Sequence, residues 1–231
     1  MKLLSGKRAI CFGDSITWYD GHAYNWGKEA EKIAKGFESY LRDAGMHVKN
    51  NGISNATILD IRKQLLRTDI GEFDYVLLSS GANDSRYGIP CGHLISQNSD
   101  YDVTSFCGCL QDCIEHIQHE NPLAEIVLMT PIKGWIYAPD GYEYERTDDG
   151  VVEECYAETI IAVAKAYQVS VCDWYHDSGI ELESREQYIN DPEPNKTAAI
   201  NPNPFYSLHP SSEGYRRMSE MLLNVLRGEK F

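Results

Sequence analysis

Five short strand-like segments, several of them apolar, spaced along the whole chain and separated by stripes at helical spacing, restrict what this sequence can fold into more than any other feature. They are Lys7–Phe12 and the segments opening at His47 ("HVKNNGIS"), Phe73 ("FDYVLLSSGAND"), Ala124 ("AEIVLMTPI") and Val169 ("VSVCDWY"). Several are nearly uninterrupted, as parallel strands covered on both faces must be. Between them, Trp26, Ala30, Ile33, Phe37 and Leu41 predict a helix stopped by Gly45. Phe106, Leu110, Cys113, Ile114 and Ile117 predict another before Pro122, and Val152–Tyr167 a third. Tyr215, Met218, Leu222, Val225 and Leu226 mark the last. This alternation predicts a three-layer α/β/α fold around a mostly parallel sheet of about five strands. The length fits one domain over residues 1–231.

Sites in such sheets gather at the carboxyl ends of the strands. Ser15 follows the first run, Gly52 closes the second and Asn83 follows the third, so all three are expected at one edge. Two long connections, Lys133–Gly150 and roughly Ser184–Ser207, read as loops of the kind that carry function.

A formal net charge of −14 disfavours partners with phosphate backbones or anionic headgroups, so neither nucleic acid nor a membrane is expected. The start, "MKLLSGKRAICFG", lacks the continuous apolar core and cleavage site of an export signal, and no window is long enough to span a bilayer. The seven cysteines are accordingly expected as reduced thiols in a cytoplasmic protein. Cys109, Cys113 and His116 share helical spacing, which invites a zinc reading. Without paired short spacings or a second cluster, the cysteines read instead as small core hydrophobes, and no metal is expected.

The segment "ICFGDSITWYDG" carries the first chemical signal. A serine hydroxyl is a weak nucleophile until a base accepts its proton and donors stabilise the oxyanion. Ser15 at a strand-to-helix junction presents its N–H where such charge would develop, and Gly13 permits the tight turn. Read singly, Ser15 and Asp14 are more readily a helix cap and Gly52 a turn glycine, and Asn83 also fits an Asx turn. Of the histidines, His22, His47, His93 and His176 have no companion motif, and His116 and His119 lie on the cysteine-bearing helix. His209, in "FYSLHPSSEGYRRMSE", precedes a helix on a loop that can reach the strand edge.

In chain order stand "GDSIT", "NNGIS", "GAND" and "LHPSSEGY", and with them the chain resembles the GDSL-type or SGNH hydrolases, a family of esterases and lipases, from Ile10 to Tyr215. The resemblance implies a flavodoxin-like fold, ester substrates and no cofactor. It implies Ser15 as nucleophile, His209 as general base, and an oxyanion hole from the amides of Ser15 and Gly52 with the side chain of Asn83. One position departs from the pattern. Where the family has an aspartate three residues before the histidine, this sequence has Tyr206, and the nearest upstream aspartate is Asp191. Either a backbone carbonyl in 201–207 takes the His209 N–H, or Asp191 folds back to it, or the site has lost efficiency. The expectation is a Ser–His dyad with carbonyl support.

Trp18, Tyr19, Tyr87, Trp135, Tyr137, Tyr142 and Tyr144 crowd the loops, although any one ring is more readily a packing residue. Aromatic faces with polar tips suit sugar rings or small aromatic esters better than long acyl chains. The expected activity is hydrolysis of short acyl esters, acetyl among them, on a carbohydrate-like small molecule. Two alternatives are a non-catalytic carbohydrate- or small-molecule-binding module, and a metal-dependent phosphoesterase using Asp14, Asn83, Asp84 and His209.

Overall fold

In the computed structural model the described residues are 2–24, 27–138, 141–143, 146–147, 150–191 and 206–229. The first four segments form β1 (Arg8–Gly13), β2 (His47–Gly52), β3 (Tyr75–Ser79) and β4 (Glu125–Met129). Four short strands follow, β5 (Trp135–Ala138), β6 (Gly141–Glu143), β7 (Arg146–Thr147) and β8 (Gly150–Val151), and then the fifth run as β9 (Ser170–Cys172). The central sheet has the order β2-β1-β3-β4-β9, every neighbouring pair parallel. This is the doubly wound order whose switch point lies between β1 and β3. A last strand, β10 (Tyr206–Ser207), pairs antiparallel with β5, as β6 does from the other side.

The helices are α1 (Ser15–Trp18), α2 (Phe37–Asp43), α3 (Ile58–Leu65), α4 (Ala82–Tyr87) and α5 (Phe106–Glu120), followed by α6 (Val152–Tyr167), α7 (Trp174–Asp177), α8 (Arg185–Tyr188) and α9 (Ser212–Arg227). Side chains alternate across a strand, so the two faces of the sheet feed two cores. Ala9, Cys11, Leu77, Val127 and Met129 pack with Phe37 and Leu41 of α2 and with Tyr215, Met218 and Leu222 of α9. Ile10, Phe12, Val76, Leu78 and Leu128 pack with α3, α5 and α6 on the other face. The interior strands β1, β3 and β4 are buried almost throughout because both faces are covered, whereas the edge strand β2 is polar and partly exposed.

Two expectations are corrected. The stripe from Trp26 to Leu41 is not one helix: only Phe37–Asp43 is helical, and Trp26 lies outside the described residues. Gly27 has φ +92° and Glu31 φ +66°, Ala23 bridges to Ile33, and Ile33 is exposed, so the apolar spacing there is coincidental. The cysteines are not all thiols either. Cys91, after α4, is joined by a disulfide to Cys155 on α6, while Cys11, Cys107, Cys109, Cys113 and Cys172 are free and buried.

The stretch expected as a loop over Lys133–Gly150 contains the β5–β6 hairpin, and the other long connection opens on α8, with 192–205 outside the described residues. Among the described residues no helix is long and apolar enough to cross a membrane.

Candidate active site

β1 is buried along its length after Arg8 and delivers the chain directly into α1. Asp14 caps that helix, its Oδ1 accepting the Ile16 N–H at 2.9 Å. Ser15 therefore occupies the first helical position, where a backbone N–H has no intrahelical acceptor. Its Oγ lies 3.0 Å from Nε2 of His209, on the loop between β10 and α9. Residues 194 positions apart are thus in hydrogen-bond contact.

The other side of the imidazole differs from the expected arrangement. Nδ1 of His209 lies 2.9 Å from Oδ1 of Asp191, which is 1% exposed. Oδ2 of the same carboxylate accepts the N–H of Leu208 at 2.6 Å and that of His209 at 2.8 Å. A carboxylate, and not a backbone carbonyl, takes the Nδ1 side. The Tyr19 ring stands edge-on to the imidazole, with centroids 5.4 Å apart.

Burial pushes the His209 pKa down, but the charge and hydrogen bond of Asp191 and the charge of Asp14 outweigh it. The net value lies above the ordinary one, with the Arg86 charge opposing. Burial also raises Asp14 to about 6, against its Ile16 hydrogen bond and the His209 charge. It raises Asp84 to about 7, although that carboxyl accepts the N–H groups of Ile58 and Gly81. Asp84 thereby ties the start of α3 to the start of α4, the helix that carries Asn83.

Asn83 is buried, and its Nδ2 donates to the carbonyl of Ala56 at 3.0 Å, which leaves one amide hydrogen uncommitted by that bond. Gly52 is at the expected strand end, but its N–H is committed to Oδ1 of Asn50 at 2.7 Å. Asn50 also donates from Nδ2 to the carbonyl of Thr17, so it clasps α1 to the end of β2. A Cβ on Gly52 would run into the Trp18 backbone, so glycine there serves close approach. Three residues on, Asn55 has φ +70° and its Oδ1 accepts the Tyr87 hydroxyl at 2.6 Å. Its own N–H has no partner among the described residues.

Sequence reasoning left Asp191 as one of three alternatives and did not identify Asn50 or Asn55. The Asn-x-Gly spacing of an Asx turn was the available signal for Asn50.

Trp18 is half-buried and stacks on His22 with centroids 3.9 Å apart, and Tyr87 is exposed. Trp135 is buried as a packing residue, and the side chains of Tyr137, Tyr142 and Tyr144 lie outside the described residues. Among the described residues no group of three His, Cys, Asp or Glu side chains is placed to hold a metal ion.

Residues 11–217 match the model of the GDSL-like lipase/acylhydrolase family. The chain belongs to that family. No curated protein matches this GDSL-like chain. Among solved structures, it is similar to a possible lipase from Chitinophaga pinensis, at 23% identity and a TM-score of 0.70 over 96% of this chain and 98% of that one. A lipase/acylhydrolase from Enterococcus faecalis is 19% identical, with a TM-score of 0.61 over 96% of each chain. An acetylxylan esterase from Geobacillus stearothermophilus is 20% identical, with a TM-score of 0.59 over 98% of this chain and 96% of that one. At these identities the likeness establishes the α/β fold of the GDSL-like hydrolases.

Proposed function

We propose that the protein is a serine carboxylic-ester hydrolase in which Ser15 is the nucleophile, His209 the general base and Asp191 the group that orients and charges the imidazole. The observation that carries this reading is the unbroken line Ser15 Oγ, His209 Nε2, His209 Nδ1, Asp191 Oδ1, with contacts of 3.0 and 2.9 Å. With Nδ1–H donated to Asp191, Nε2 is left unprotonated and faces the hydroxyl.

In the first step Ser15 Oγ bonds to the ester carbonyl carbon while its proton passes to Nε2. The collapsing intermediate expels the alcohol, which takes that proton from the imidazolium. In the second step a water attacks the acyl-serine with His209 again as base, and the free acid leaves with Ser15 restored. The developing oxyanion is met by the Ser15 N–H at the helix start and by Nδ2 of Asn83. Gly52 does not contribute while Asn50 holds its N–H. The unpartnered N–H of Asn55, one residue from the carbonyl that binds Asn83, takes its expected place.

The substrate is a short acyl ester, acetyl included, of a carbohydrate-like small molecule. The Trp18–His22 stack and the exposed Tyr87 supply flat faces of the kind sugar rings use. The fold shared with an acetylxylan esterase agrees with this choice.

A fluorophosphonate probe, applied to the wild type, Ser15→Ala and His209→Ala, tests the chemistry. Labelling is expected in the wild type alone at an appreciable rate, and an inert wild type would favour a binding module instead. A series of p-nitrophenyl esters tests the acyl group, with acetate expected ahead of octanoate and the reverse order refuting the substrate class.

A further inference from the structure

Ser15 and His209 belong to segments that the sheet does not hold together, since α1 grows from β1 while His209 precedes α9. Something has to fix their relative position, because proton transfer over a 3.0 Å contact fails when the partners drift. Two buried tyrosines cross between these segments in opposite directions. Tyr24, on the chain after α1, donates its hydroxyl to the carbonyl of Pro210 at 2.7 Å, immediately after His209. Tyr215, on α9, donates to the carbonyl of Ile16 at 2.7 Å, immediately after Ser15. Each segment thus reaches across and grips the backbone beside the other's reacting residue.

Both acceptors are carbonyls that the helices leave open. Ile16 lies in a four-residue helix whose last turn has no following amides to donate, and Pro210 precedes the start of α9. Among the described residues neither carbonyl is claimed by a backbone N–H. The rings are 1% and 0% exposed, so water is not at hand to replace the bonds. Burial also holds both hydroxyls protonated, and so donating, across the neutral range.

We propose that Tyr24 and Tyr215 are a reciprocal pair of positioning residues that set the separation of Ser15 Oγ and His209 Nε2. The inference rests on the Ser–His reading given above. Neither hydroxyl touches the ester. Each acts through the backbone, and their effect belongs to the rate of the chemical step.

The test uses the full chain, p-nitrophenyl acetate as substrate, and Tyr24→Phe and Tyr215→Phe, which keep ring and core volume. Each single substitution is expected to lower kcat about tenfold with KM within about twofold, since a misplacement of about 1 Å costs about a hundredfold. In a His209→Ala background the same substitutions are expected to change the residual rate less than about twofold, because no proton transfer remains to be positioned.

Wild-type kcat in both tyrosine variants would overturn the proposal. So would undiminished losses in the His209→Ala background, which would make the tyrosines general supports of the fold. A fully active His209→Ala enzyme would instead refute the Ser–His reading, and this inference with it. Should Tyr215→Phe fail to fold, Tyr24→Phe carries the same comparison from the opposite side.

Discussion

Replacing Asp191 by asparagine separates the charge of this residue from its shape. The carboxylate has three partners: Nδ1 of His209 at 2.9 Å and the N–H groups of Leu208 and His209 at 2.6 and 2.8 Å. In Asp191→Asn the amide oxygen keeps the two backbone donors, so its NH2 must face Nδ1. A donor there forces Nδ1 to accept, which moves the imidazole proton to Nε2 and points it at Ser15. In that tautomer the ring cannot take the serine proton. The expected loss is about 10⁴ in kcat/KM, or about 5 kcal/mol of transition-state stabilisation. Stability should change little, because both buried backbone N–H groups remain satisfied. Asp191→Ala should lose activity and also about 2–6 kcal/mol of unfolding free energy, about 1–3 for each orphaned N–H. Initial rates with p-nitrophenyl acetate and urea unfolding of the three proteins measure both quantities. A kcat/KM for Asp191→Asn within tenfold of the wild type would refute the role given to the carboxylate.

The remaining expectations concern pH, packing and the disulfide. The proposed base His209 would have to be neutral to act, and its pKa is raised above the ordinary histidine value, so kcat/KM should rise with pH through a midpoint above that value. Asp191→Asn removes the largest upward push and leaves burial, so its acidic limb should move to lower pH, and a pH–rate profile moving the other way would contradict this. Gly52→Ala brings a Cβ against the Trp18 backbone and should push α1 off β2, lowering both the melting temperature and kcat. Wild-type values for both would show that the close approach is not needed. The Cys91–Cys155 link spans 64 positions, for which loop-closure entropy gives about 4 kcal/mol, so Cys91→Ala should unfold at lower urea, and an unchanged midpoint would count against a stabilising bond.

The parts of this molecule that were legible in its sequence are those where local pattern and tertiary environment impose the same demand. A strand covered on both faces has to be apolar, and the apolar runs became β1, β3 and β4, while the polar β2 took the edge of the sheet. The carboxyl ends of β1, β2 and β3 then had to meet, which brought Ser15, Gly52 and Asn83 to one edge. The stripe from Trp26 to Leu41 misled because apolar spacing does not register backbone geometry, and Gly27 and Glu31 take left-handed conformations within it. Gly52 stands at the strand end where the pattern puts it. Its N–H is captured by Asn50 two residues earlier, a local pattern that competes with any external acceptor. Asp191 was legible only as an alternative, because nothing in the order of residues ties it to a histidine 18 positions later.

That separation has a structural consequence. The Ser15 half of the site is built by the sheet: β1, β2 and β3 place Ser15, the Asn50 clasp and Asn83 through their parallel registers. The His209 half is framed more lightly, by the two-residue pairing of β10 with β5. Asn190 and Asp191 are pinned by backbone and side-chain bonds to residues 28–29 and 208–209. The His209 loop is further held by the Ile189–Pro210 bridge and by the hydroxyl of Tyr24. Strand register is set by many residues acting together, whereas these pins amount to a few hydrogen bonds each. Substitutions that slow the reaction without unfolding the chain should therefore concentrate around the histidine, in side chains that never touch the ester.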